Sequence, residues 1–212
     1  MKKYKAVVIG VSAGGMKVLT KLLSMLPENF SLPVMIVQHL HPSQSDFYIR
    51  HFNEKCALTV KEADEKEKIQ SGYVYFAPPN YHLLIEEDRS FSLSCDEKVN
   101  FSRPAIDLLF ESAVDVYHSD LIGIILTGAN NDGAYGLQLI KNNGGLTLVQ
   151  NPSEAESAVM PQAAIAAGGA DYILSAEEIG NLLIRLDKNN KPQSILSFGG
   201  LFLALANLRY EL

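Results

Sequence analysis

The sequence predicts an α/β domain: a doubly wound, mostly parallel sheet with helices on both faces and an inserted antiparallel hairpin. Three observations lead there. Short apolar and β-branched runs alternate with segments whose apolar residues recur at helical spacing from one end of the chain to the other, the pattern of βαβ units. In the middle, three short strand-like runs separated by Pro78-Pro79-Asn80 and Glu87-Asp88-Arg89 break the alternation, which is how a hairpin is punctuated. And 212 residues, 47% of them hydrophobic, suffice to bury one sizeable core.

In chain order, residues 4–9 read as the first strand and 16–25 as the first helix, stopped by Pro27, which has no N–H to extend it. Residues 33–38 are the second strand, and a helix follows Pro42 to about residue 53. A short strand at 58–62 precedes the charged run 63–68, a solvated loop. Residues 73–77, 82–86 and 90–94 form the antiparallel insertion. Pro104 stands near the first turn of a helix over 105–116, 121–126 is a central buried strand, and the loop 127–133 opens a helix to about residue 142. A strand at 146–150, a small-residue helix over 155–167, a strand at 172–174 and a helix at 176–186 complete the pattern. Residues 1–186 are thus expected to form one domain, with a polar linker and an apolar C-terminal tail over 187–212. The tail's apolar stretch, 195–208, is shorter than the roughly 20 residues that span a bilayer, and is expected to pack on the domain or on a second copy.

Acidic residues outnumber basic ones, 24 to 18, and no Lys/Arg cluster interrupts the excess. That balance argues against general binding to nucleic acid or to an anionic membrane, because phosphate recognition needs a basic face. Two cysteines, Cys56 and Cys95, make neither a disulfide framework nor a metal site, and Met1-Lys2-Lys3 is not a secretory leader, so the cytoplasm is the expected compartment.

The chemistry is expected where the first strand ends. Gly10-x-Ser12-x-Gly14 places a serine on the tight strand-to-helix turn, the nucleophile-elbow pattern that exposes a hydroxyl at the tip. A serine nucleophile needs a base, and the histidines are His39, His41, His51, His82 and His118. In an open parallel sheet functional groups gather at the carboxyl ends of strands, and His39 follows the second strand on the same edge as Ser12. His41 is the reserve; His51, His118 and His82 are read as structural, the first two on or beside helices and the third in the hairpin. Asp132, in the glycine-flanked loop after strand 121–126, is the acid chosen to hold the imidazole, although an aspartate before Gly133-Ala134 could equally cap its own helix. The backbone N–H groups at Ala13 and Ala129 are the candidate oxyanion donors.

A dinucleotide site is the main competitor, since strand, glycine turn and helix also describe the Rossmann fingerprint. Here the central glycine is missing, and the second strand ends in Gln38-His39 where an acid should meet the ribose. No Gly-Lys-Ser/Thr follows the turn either, so the phosphate-loop pattern fails.

Three blocks, residues 9–15 (IGVSAGG), 37–40 (VQHL) and 125–134 (ILTGANNDGA), resemble the active-site motifs of the catalytic domain of the chemotaxis protein-glutamate methylesterase family, CheB. Residues 60–63, 75–78, 103–110, Gln150-Asn151 and Met160-Pro161 are similar as well, so the resemblance runs in order over about residues 4–185. It implies a hydrolase with Ser12, His39 and Asp132 as its triad, no cofactor or metal, and methylated glutamates on chemoreceptor cytoplasmic helices or on another methylated protein as substrate, with glutamine deamidation as a second activity. In place of the family's usual Thr-Gly-Met-Gly-x-Asp-Gly, Ala129-Asn130 stand where Met-Gly is expected. The family's N-terminal receiver domain does not precede the blocks, so control by a separate response-regulator partner or constitutive activity is expected. A nucleotide-binding module and a non-catalytic receptor-binding relative remain the alternatives.

Overall fold

The computed structural model describes residues 2–39 and 45–190. Its centre is a seven-stranded parallel sheet in the order β3-β4-β2-β1-β7-β8-β9. The strands are β1 (Ala6–Val11), β2 (Val34–Gln38), β3 (Thr59–Glu62), β4 (Tyr73–Phe76), β7 (Leu121–Ile125), β8 (Leu146–Gln150) and β9 (Tyr172–Leu174). β5 (His82–Ile85) and β6 (Phe91–Ser94) pair antiparallel as a separate two-stranded sheet. The doubly wound parallel sheet with its inserted hairpin is therefore the one expected.

Period-two alternation in β1 sends its side chains to two cores. Val7, Ile9 and Val11 join one layer with Val18, Leu19, Leu22 and Leu23 of α1 (Gly15–Ser24), Phe52 of α2 (Ser45–Lys55), and Ile179 and Leu183 of α6 (Ala176–Asn190). Ala6 and Val8 join the other, which packs α3 (Ile106–Tyr117), α4 (Ala134–Asn142), α5 (Val159–Ala166) and the hairpin. Every β1 side chain is buried, so the strand reads as a continuous apolar run because both faces are covered.

Three segments differ from expectation. Residues 73–77 are not part of the antiparallel insertion: β4 enters the main sheet parallel to both β3 and β2, with Val74 opposite Val60 and Val34. A short apolar run carries no record of its partner, and this pairing is decided by strands far away in sequence. Helix α5 begins at Val159 rather than near 155, because Ser157 is engaged elsewhere: its O accepts the Gly128 N–H (3.0 Å) and its N–H donates to Thr127 Oγ1 (2.9 Å). Helix α6 continues through the expected start of the linker. Asp187 is buried and accepts the Ser31 N–H (2.8 Å), while Asn190 exchanges hydrogen bonds with the Tyr4 backbone (3.1 and 2.8 Å). The tail at 195–208 and His41 lie outside the described residues. Among the described residues no helix is long and apolar enough to cross a membrane.

Candidate active site

Ser12, His39 and Asp132 follow three adjacent strands, β1, β2 and β7, at the carboxyl edge where the chain's winding reverses. The register keeps the strand ends level: Val11 lies opposite Gln38 and Gly10 opposite Ile125. Past the strands the ladder continues for one step, with the Ser12 N–H donating to Thr127 O (2.9 Å) and the His39 N–H to Val11 O (3.2 Å). Ser12 and His39 are thus tied to the rigid sheet rather than to free loops.

Gln38 strengthens that tie. Its Nε2 donates to Ser12 O (2.9 Å) and His39 O (3.3 Å), so one buried carboxamide links the backbones of both residues. A Cβ on residue 15 would come 1.9 Å from Gln38 Oε1, so Gly15 is the residue that lets the carboxamide lie under the elbow. The sequence marks Gln38 only as the absence of a ribose-binding acid; its role depends on partners beyond the strand. Gln38→Glu would set a carboxylate against two carbonyl oxygens with no donor between them. At neutral pH we expect it to cost about 3 kcal/mol, read as a lower urea midpoint, together with slower labelling of Ser12 by a serine-directed fluorophosphonate.

Asp132 sits at the centre of the polar network, 1% exposed. Its Oδ2 accepts from His39 Nε2 (2.9 Å) and the Ile106 N–H (2.7 Å); its Oδ1 accepts from the Asp107 N–H (3.1 Å) and Asn100 Nδ2 (3.0 Å). The aspartate does cap a helix, but α3 rather than its own, since Ile106 and Asp107 are the first residues of α3 and Gly133 precedes α4 without a side-chain cap. The free N–H groups of a helix N-terminus favour an anion there. Burial by itself pushes the Asp132 carboxyl up, but the hydrogen bonds from His39, Ile106, Asn100 and Asp107 outweigh it and hold the carboxyl below its ordinary value. Gly133, at φ 89°, turns the chain behind Asp132 where a Cβ would meet Ile125 Cδ1 at 2.5 Å.

Two residues of this network give no signal in the sequence. Asn100 donates to Asp107 Oδ2 (2.8 Å) as well as to Asp132, from a tight turn whose ends exchange the Val99–Ser102 hydrogen bonds (3.2 and 2.8 Å). Both central residues of that turn, Asn100 (φ 49°) and the fully exposed Phe101 (φ 62°), are left-handed, which is rare for an aromatic residue. Asp107 also accepts the Gly136 N–H (2.8 Å). Burial pushes its carboxyl up, Gly136 pulls it back, and the Asp132 charge adds to the rise.

Ser12, Ala13 and His39 line a common cavity of about 420 Å³ with Met16, Lys17, Tyr48 and Glu156. Ser12 Oγ has no hydrogen-bond partner among the described residues; its backbone alone is engaged. His39 Nδ1 instead faces Asn130 Nδ2 at 3.3 Å. Ala13 and Ala129 are both exposed, and among the described residues neither N–H donates to another group. Gly128, beside Ala129, packs on Ser12: a Cβ there would lie 3.0 Å from Ser12 Cβ. The remaining described histidines are elsewhere. His82 is buried between Glu97 O (3.0 Å) and the Ala105 N–H (3.1 Å), His51 bonds Thr20 Oγ1 (3.0 Å), and His118 ends α3.

A model of the CheB methylesterase family matches residues 7–183. A Leptospira interrogans protein, whose name gives it provisionally as a protein-glutamate methylesterase/protein-glutamine glutaminase, is 56% identical over 190 residues, covering 90% of this chain and 98% of that one. The protein-glutamate methylesterase/protein-glutamine glutaminase of Thermotoga maritima is 36% identical over 185 residues, covering 86% of this chain and 54% of that one. The crystal structure of the Thermotoga maritima CheB methylesterase catalytic domain superposes with a TM-score of 0.83 at 36% identity, covering 87% of this chain and 99% of that one.

Proposed function

The chain belongs to the CheB methylesterase family, and from that premise we propose that it hydrolyses glutamate γ-methyl esters on chemoreceptor helices, and deamidates glutamines, with Ser12, His39 and Asp132 as its triad. The observation that carries the triad is the 2.9 Å bond from His39 Nε2 to an acid that already accepts from three other donors. A carboxylate so surrounded is an acceptor only, so Nε2 bears the proton and Nδ1 carries the lone pair. Nδ1 is therefore the base.

Ser12 Oγ attacks the γ-carbonyl carbon as His39 Nδ1 takes its proton, and the resulting imidazolium is stabilised by the Asp132 charge. The Ala13 and Ala129 N–H groups receive the oxyanion. The tetrahedral intermediate collapses, the carbon–oxygen bond to the methoxy group breaks, and methanol leaves with the proton from Nδ1. Water then attacks the acyl-enzyme, giving a proton to Nδ1, and Ser12 departs with it to restore glutamate and free enzyme. With glutamine the leaving group is ammonia. The exposed cavity mouth suits a substrate side chain carried on a folded helix.

The nucleotide-binding alternative is disfavoured by what surrounds the elbow. Glu156 packs over Gly14, where a Cβ would meet Glu156 Cβ at 2.6 Å, so a carboxylate flanks the place a pyrophosphate would take. The test is to incubate the protein with a methylated chemoreceptor cytoplasmic fragment and measure methanol. Release matched by conversion of methyl-glutamate to glutamate supports the reading; an intact ester after prolonged incubation with folded protein overturns it.

A further inference from the structure

Asn130 contributes no atom to the reaction above, yet it holds the base. The direction of its carboxamide follows from the backbone: the Asp132 N–H donates to Asn130 Oδ1 at 3.1 Å, so the NH2 end is the one turned to His39. That NH2 lies 3.3 Å from Nδ1, and Nε2 donates to Asp132 at 2.9 Å. Asn130, His39 and Asp132 thereby close a ring of hydrogen bonds. An unprotonated imidazole nitrogen has one lone pair, in the ring plane. The Asn130 amide occupies it, while Ser12 Oγ, in the same cavity, has no partner among the described residues.

One lone pair cannot accept from both groups. Resting on the hydrolase reading, we propose that Asn130 is a positioning residue that latches the base: its amide masks His39 Nδ1 in the free enzyme and must turn aside before Nδ1 can take the Ser12 proton. The γ-carbonyl oxygen of the incoming ester or amide supplies the alternative acceptor that a released amide requires. The latch therefore couples the competence of Ser12 to occupancy of the site and slows its reaction with small electrophiles that cannot engage the amide.

The experiment compares N130A and N130D with the unsubstituted protein in the rate of fluorophosphonate labelling at Ser12, alongside the ¹⁵N spectrum of histidine-labelled protein and the Tm. Alanine frees Nδ1, and labelling is expected to rise about fivefold, the factor a neutral hydrogen bond supplies, with the half-saturating probe concentration unchanged. Aspartate keeps an acceptor for the Asp132 N–H but cannot donate to Nδ1, and it binds the protonated ring instead; labelling is expected to fall roughly tenfold. A purely structural role would lower both. Unchanged or slower labelling of a stably folded N130A overturns the latch. Should the unsubstituted protein fail to label at all, the hydrolase reading falls, and the spectrum decides the latch separately: an Nδ1 resonance that moves in N130A supports the hydrogen bond, and one that stays overturns it.

Discussion

Ser12→Ala is expected to lower ester hydrolysis by roughly four to six orders of magnitude, the loss seen when a triad nucleophile is removed. The substitution is clean because the Ser12 hydroxyl bonds no group among the described residues. Ser12 is held through its N–H to Thr127 O and its carbonyl to Gln38 Nε2, and both bonds survive in alanine. The variant should unfold at the wild-type urea midpoint, so lost activity cannot be ascribed to lost structure. Methanol release is the readout; a rate within tenfold of wild type would remove Ser12 from the chemistry and leave the family's reaction to another group.

Asp132→Asn is expected to lose on two counts. Without the carboxylate His39 is no longer held with its proton on Nε2, and a drop of about 10⁴-fold in kcat follows by analogy with other triads. Stability should fall by about 2 kcal/mol as well, because both Asp132 oxygens face only donors: His39 Nε2 and Ile106 N–H on one side, Asn100 Nδ2 and Asp107 N–H on the other. Whichever way the asparagine amide turns, its NH2 meets an N–H. The pH dependence has a definite sign. The Asp132 carboxyl is held below its ordinary value in the folded state, so its contribution is full above the unfolded value of about 4 and disappears as pH falls through the folded value. Asp107 runs the other way: its carboxyl is raised by burial and by the Asp132 charge, so its contribution falls as pH rises. D132N removes that neighbouring charge and relieves part of the Asp107 rise. Denaturation curves of wild type and D132N should therefore converge on acidification; a gap that widens below pH 4 would contradict the assignment of Asp132 as the ionised member.

The elements that were legible share a physical basis. Strands β1, β2 and β7 are apolar runs buried on both faces, and α1 shows its apolar stripe directly, so the order of elements and the positions of the strand ends follow from local pattern. Ser12 and His39 were readable from that edge, and structure adds that they share a cavity. Asp132 was readable as a choice between helix cap and orienting acid, and it makes both kinds of contact by capping a helix 25 residues earlier in the chain. Gln38, Asn100, Asp107 and Asn130 were not legible in these roles, because a single polar side chain has no periodicity and nothing local names its partner.

What the sequence alone determined is the alternation of strands and helices, the glycine-wrapped elbow at Ser12 and the strand ends after which Ser12, His39 and Asp132 stand, since each depends on residues within a few positions of one another. Tertiary structure alone decided that β4 joins the parallel sheet, that Asp132 caps α3, that Gln38 ties the elbow to the backbone of His39, and that Asn130 stands on His39 Nδ1. The division follows from range: hydrophobic period and turn chemistry act along the chain, whereas the pairing of a strand or a buried polar group is settled only by which distant donor or acceptor folding brings within about 3 Å.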